Sequence, residues 1–191
     1  MSNLKTIRSI IFFSLLLLGS TLLKAQSGEI CYNPNLVKDT SKRSIKSAAV
    51  GIIGGDSVKI NYHSPGVRGR IIWGGLVPYD EVWVTGAHDA TTFEISKPMV
   101  IGDKVVAAGK YALFTIPGKN EWIVIINAKW NQHLATEYDE KEDIVRLKVK
   151  PIRQAATERL QYSVQPGKGG SGKIAMAWEK IRIEFPVTLK N

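Results

Sequence analysis

The stretch YALFTIPGKNEWIVIIN, residues 111–127, decides the fold. Tyr111, Leu113 and Thr115 alternate with Ala112, Phe114 and Ile116, which is the period of two that sends successive side chains to opposite faces of a strand. Pro117-Gly118-Lys119-Asn120 then supplies a fixed φ and a residue without a side chain, the chemistry of a tight turn. Glu121–Asn127 returns rich in Ile and Val, so the whole segment reads as a β-hairpin.

The same alternation extends outward in both directions. Val58, Ile60 and Tyr62 alternate with Lys59, Asn61 and His63; Val145, Leu147 and Val149 face opposite to Arg146, Lys148 and Lys150. Leu160, Tyr162 and Val164 make a further strand, Gly167 to Gly172 turns the chain, Ile174, Met176 and Trp178 continue, and Ile181, Ile183 and Phe185 close it. The best helical candidate is Ala135–Asp143, which is short and acidic. Strands at roughly ten-residue spacing between Gly/Pro turns predict an all-β fold: an antiparallel, jelly-roll-like sandwich in a single domain over residues 47–191. The polar segment 26–46, with Asn-Pro-Asn at 33–35, reads as a flexible N-terminal arm.

Residues 1–25 read as an address. Lys5 and Arg8 precede an uncharged run from Ser9 to Leu23, and Lys24-Ala25 follows. That run is shorter than the ~20 residues of a membrane span and fits a secretory signal peptide. Export to the periplasm or the extracellular space, in a Gram-negative bacterium, is therefore expected, with no transmembrane span after signal removal. Cys31 is preceded by Gly28-Glu29-Ile30, charged and bulky where lipid-anchor cleavage wants small residues. One Cys in the chain excludes an internal disulfide, and no His lies near it to build a blue-copper loop.

Composition narrows the classes further. Hydrophobic residues at 44% against 23% charged argue against a disordered chain. Removing residues 1–25 takes away Lys5, Arg8 and Lys24 and no acid, leaving 166 residues at net +6. A chain of that size buries about 70% of its unfolded surface without covalent staples. The positive charge suits anionic glycans or lipid headgroups in an exported protein better than nucleic acid.

The segments INYHSPGVRGRIIWGGLVPYDEVWVTGAHDATTFEI (60–95), AGKYALFTIPGKNEWIVIIN (108–127) and YDEKEDIVRLKVKP (138–151) resemble a bacterial exported family known as domain of unknown function 2911. The resemblance covers most of residues 50–187 and rests on the G-R…G-G-L-V-P-Y…V-W-x-T-G-A pattern and the A-G-x-Y-x-L-F-T-I-P-G hairpin. It implies a secreted β-rich domain, no established activity and no catalytic residues to carry over. The commoner family pattern places Arg near position 63 or 64, Arg at 84 and Asn at 88, where this chain has His63-Ser64, Val84 and His88.

His63, His88 and His133 are the sharpest chemical feature. Imidazole is the commonest protein ligand for zinc and copper, and three with one open position make a reactive metal site. They are expected as metal ligands if loops and strand ends converge, with Asp89, Glu94 or Glu137 as a fourth ligand or an orienter. Their spacing matches no short metal motif, and three unrelated histidines is the competing reading. His88-Asp89 and His63-Ser64 are neighbours on extended chain and point apart, and G-x-S-x-G is absent, so a Ser-His-Asp hydrolase ranks low.

Arg68 and Arg70, in a Gly-containing turn, are candidate contacts for an anionic ligand; the competing reading is that they cap strand edges. Gly167–Lys173 fits G-x-x-x-x-G-K by count, but Ile174 follows where Ser or Thr is needed, and a strand where a helix is needed. Of five tryptophans, Trp73, Trp83, Trp122 and Trp178 are expected in the core. Trp130, in a polar loop beside His133, is the candidate for ligand contact. The carboxylates Asp139, Glu140, Glu142 and Asp143 lack calcium-loop spacing and read as a solvated turn.

These features point to an exported protein that binds a small ligand or a transition metal, zinc or copper, at the three histidines. The partners expected are a small molecule, a metal or an envelope glycan. A metal-free interaction or carbohydrate-contact module comes second, and a small cell-envelope hydrolase third.

Overall fold

A computed structural model describes residues 41–190 and the backbone of the strand Ile30–Tyr32. The expected signal peptide and most of the expected arm lie outside the described residues. Two antiparallel sheets face each other. The larger has the order β1-β2-β3-β4-β7-β8-β9: β1 Ile30–Tyr32, β2 Ser44–Ile53, β3 Asp56–Pro65, β4 Thr92–Ile95, β7 Gly109–Ile116, β8 Trp122–Asn127 and β9 Asp143–Val149. The smaller has the order β10-β11-β5-β6: β5 Met99–Ile101, β6 Lys104–Val106, β10 Ile152–Pro166 and β11 Ser171–Leu189. Among the described residues no helix is long and apolar enough to cross a membrane.

Alternation decides which side chains meet between the sheets. Val58, Ile60 and Tyr62 of β3, Leu113 of β7 and Val124 of β8 face Tyr162 and Val164 of β10 and Met176 and Trp178 of β11 in one buried core. Tyr62 and Tyr162 meet edge to face at 4.8 Å across the interface. Trp73, Trp83, Trp122 and Trp178 gather there, with Trp83 stacked on Trp178 at 5.8 Å and Trp73 edge-on to Trp122 at 4.9 Å. Their large apolar area adds to the core between the sheets.

The outer face of the large sheet is covered too. Ala112, Phe114 and Ile125 point outward and are buried beneath Val84, Ala90 and partly buried Tyr138. Two irregular segments, 79–91 and 128–142, form this coat. The second is anchored by Asp143, which accepts from Asn127 Nδ2 at 2.8 Å, Tyr138 Oη at 2.6 Å and Arg146 Nη1 at 2.7 Å.

Three expectations are corrected. Ala135–Asp143 is not a helix: it contains one 3-10 turn, Glu140–Glu142, capped by the Asp139 side chain, and β9 starts at Asp143. The segment from Ile174 to Phe185 is one strand rather than two. Its pairing with β10 slips on both sides of the Thr157↔Glu179 pair, and Glu179 has a φ of 55°, so the change of pattern marks a bulge and not a turn. β2 begins at Ser44, inside the expected arm, because Ser44 to Ile53 pairs along the full length of β3.

Candidate functional site

The outer face of β2, β3 and β4 floors a hollow. Lys46 lies opposite His63 across β2 and β3, and Asn61 opposite Thr92 across β3 and β4. Asn61 Nδ2 donates to Thr92 Oγ1 at 3.3 Å. The coat supplies the wall: Ala90 N donates to the Gln132 carbonyl at 3.0 Å and Leu134 N to the His88 carbonyl at 2.7 Å. These bonds hold the loop after β8 against segment 88–90, and Asp89 Oδ1 meets His133 Nδ1 at 3.4 Å. The cavity has a volume of about 590 Å³ and is lined by His63, Asp89, Trp130, His133, Lys46 and Lys110 among others.

A second, smaller cavity of about 370 Å³ lies beside it, with His88 and Arg70 in its lining. The His63 and His88 rings touch edge to face, centroids 5.1 Å apart, so the pair stands where the two hollows meet. Burial first, then the neighbouring His88 imidazole, push the His63 imidazole below its ordinary value. The Asp89 carboxylate pulls it up and the Lys46 ammonium pushes it down again.

The described residues do not gather the three imidazoles at one point. His63 and His88 meet, but His133 pairs with Asp89 instead of joining them. Among the described residues no group of three or more His, Cys, Asp and Glu is arranged to hold a metal ion. Glu137 is taken by Lys129 at 2.9 Å, and Glu94 is exposed on β4, opposite Lys59 and Lys110. Ser64 faces the core and donates to the Leu160 carbonyl at 2.7 Å, on the strand face opposite to His63.

The arginines are engaged by the backbone. Arg68 Nη1 donates to the Ser41 carbonyl at 2.8 Å, and its guanidinium lines neither cavity. Arg70 donates to the carbonyls of Gly66 and Val67, bracing its own turn at the edge of the smaller cavity. Trp130 is 38% exposed, with Lys110 Nζ 3.8 Å from its ring centroid, a cation–π contact. Gly167–Lys173 is the hairpin turn between β10 and β11, with no helix behind it.

Lys46, Lys110, Asn61 and Gln132 were not among the expected site residues. Asn61 was within reach of the sequence, since it shares the outer face of β3 with His63. The others depend on strand register and loop path. Gln132 is buried, its Nε2 donates to the Lys129 carbonyl, and its Oε1 has no hydrogen-bond partner among the described residues.

Residues 44–187 match the family described as protein of unknown function (DUF2911). The chain belongs to the DUF2911 family. No curated protein and no solved structure matches it. The DUF2911 match runs from β2 into the end of β11 and takes in the lining of both cavities except Arg43.

Proposed function

We propose that this is an exported ligand-binding protein whose larger cavity takes a small, hydroxyl-bearing anion with the chemistry of an acidic envelope sugar. The observation that carries the reading is the lining of that cavity. An exposed indole stands beside the Lys46 and Lys110 ammonium groups and two imidazoles; of the two carboxylates in the lining, Glu137 is matched by Lys129, and Asp89, which meets the His133 ring, is the one left against the two ammoniums. The surplus is positive. Trp130 offers a flat apolar surface of the kind sugar rings stack on. A volume near 590 Å³ falls within the ~300–1,000 Å³ typical of small-molecule sites. The charged start, the uncharged run Ser9–Leu23 and Ala25 support export.

Calorimetric titration with glucuronate and with glucose tests this. Glucuronate binds more tightly than glucose, its affinity falls with added salt, and Trp130→Ala and Lys46→Gln each weaken it. Equal affinity for the two sugars, or none for glucuronate, overturns the reading.

A second reading keeps a transition metal, zinc or copper, on the His63–His88 pair. The 5.1 Å ring separation supports it, with the remaining donors coming from a bound ligand. Elemental analysis of protein purified without a His tag, beside a His88→Ala variant, separates the two: equal, near-zero metal in both removes the metal.

A further inference from the structure

The smaller cavity differs in chemistry from the larger one. Its walls are Leu76, Val77, Trp83, Leu134 and Trp178, and its charged lining is Arg43 and Arg70, with His88 at the boundary to the larger hollow. Among the described residues no carboxylate lines it. Apolar walls with a few polar groups at fixed places are the usual make-up of a small-molecule site, and about 370 Å³ is enough for one.

Three further observations converge on the same place. Leu76 and Leu134 are 47% and 41% exposed, and Ile71, whose carbonyl accepts from Leu76 N, is 78% exposed. Apolar side chains therefore surround the opening where a soluble surface would carry polar ones. Trp178 is fully buried, and among the described residues its Nε1–H has no acceptor. Thr85, His88 and Leu134 all hold left-handed backbone, with φ of 51°, 60° and 52°.

That conformation is costly for residues with a Cβ, most of all for a β-branched threonine. At Thr85 it is held by the core: its carbonyl accepts from Tyr162 Oη at 2.8 Å and Thr91 Oγ1 at 3.1 Å, and its hydroxyl pairs with Thr115 at 2.9 Å. The next residue, Gly86, has no room for a side chain, because a Cβ there would stand 2.8 Å from Thr91 Oγ1. The chain bends sharply here and presents Gly86, Ala87 and His88 to the cavity.

We infer that this cavity is a second ligand site, for an amphipathic carboxylate: an apolar body between Trp83, Leu76 and Leu134, with its anionic head at Arg43 and Arg70. Charge decides the class. The described residues give the Arg43 side chain no ion pair or hydrogen bond, whereas the Arg70 guanidinium is oriented by the Gly66 and Val67 carbonyls. One arginine is braced and the other is available to close on the head group. A cationic or uncharged amphiphile meets the same walls without that partner.

Decanoate, titrated into the full chain and followed by tryptophan fluorescence, tests the assignment, because Trp83 and Trp178 lie in the wall. Decanoate produces a saturable change, while decanol and decyltrimethylammonium bind about tenfold more weakly or worse, the loss of one charge-assisted contact. Arg43→Gln weakens decanoate by a similar factor. Leu134→Lys abolishes saturation, and Leu76→Lys, at a position already half exposed, serves if the first variant does not fold. Trp130→Ala leaves decanoate binding unchanged. No saturable change with decanoate, equal binding of decanol, indifference to Arg43→Gln, or loss with Trp130→Ala overturns the inference. The last outcome would put decanoate in the larger cavity, so failure here is distinguishable from failure of the acidic-sugar reading.

Discussion

The His63 ring meets the His88 ring edge to face, with the planes at 73° and the centroids 5.1 Å apart, and each imidazole lines a different cavity. A charge on one is therefore felt by the other. His63 is the less exposed of the two and carries the consequence as a lowered pKa. In the folded protein it holds its proton less tightly than in the unfolded chain. The unfolded chain binds more protons in the window between the lowered value and the ordinary one, so stability rises with pH across that window. The contribution is complete above the ordinary histidine pKa and lost as pH falls through the folded value. NMR titration of the imidazole protons places His63 below the ordinary histidine value. His88→Asn moves it part of the way back, since burial, the largest cause, remains.

Asp89→Asn separates structure from electrostatics at the same site. Both partners of the Asp89–His133 pair are largely exposed, at 68% and 64% of their side chains, so its removal changes stability by less than about 1 kcal/mol. The Asp89 charge nonetheless raises the His63 pKa. The substitution therefore lowers the His63 titration midpoint further while the denaturant midpoint hardly moves. A large loss of stability would show that the pair braces the loop.

Between the sheets, Gly51 of β2 and Val164 of β10 set how closely the layers approach. A Cβ on Gly51 would lie 2.6 Å from Val164 Cγ1. Gly51→Ala therefore overpacks the interface and costs about 1–3 kcal/mol. Val164→Ala alone opens a void and also destabilises. Made together, the two cost less than the sum of the singles, with a coupling of about 0.5–3 kcal/mol, measurable as a double-mutant cycle in urea.

The sandwich was legible wherever one face of a strand stayed polar. Val58, Ile60 and Tyr62 against Lys59, Asn61 and His63 gave β3 and its inward face directly. The hairpin 111–127 was legible from its turn, although both faces of β7 are buried, Leu113 inward and Phe114 beneath the coat. The hairpin of β5 and β6 escaped notice because three-residue strands are too short to show a period. The site was less legible. His63, His133 and Trp130 line one cavity, but Lys46 enters it through its pairing with His63, and Gln132 through a loop bonded to Ala90. Neither register nor loop path is written in local sequence. The acidic segment 135–143 reads as the best helical candidate, and its carboxylates as a solvated turn. Asp143 instead buries its side chain as the acceptor for Asn127, Tyr138 and Arg146.

That network gives the last prediction, which links the coat to binding. The Asp143 side chain is 4% exposed and accepts three hydrogen bonds, one of them from a guanidinium. Burial first, then the hydrogen bond to Asp143 and its charge, push the Tyr138 hydroxyl well above its ordinary pKa, so the phenol stays a donor across the physiological range. Asp143→Ala removes all three acceptor contacts and costs about 2–3 kcal/mol, held down by the partial exposure of Arg146 to water. Tyr138→Phe removes two contacts, the donation to Asp143 and the bond accepted from Arg146 Nη1 at 2.9 Å, keeps the ring on Phe114 at 5.4 Å, and costs about 1–2 kcal/mol. The segment they anchor carries Trp130, Gln132 and His133, so glucuronate affinity falls in the same order: Asp143→Ala most, Tyr138→Phe less. Decanoate affinity, which draws only Leu134 from that segment, changes less in both. Denaturant midpoints and the two titrations on the same preparations check the ordering; equal losses at both cavities would mean that the coat moves as one body.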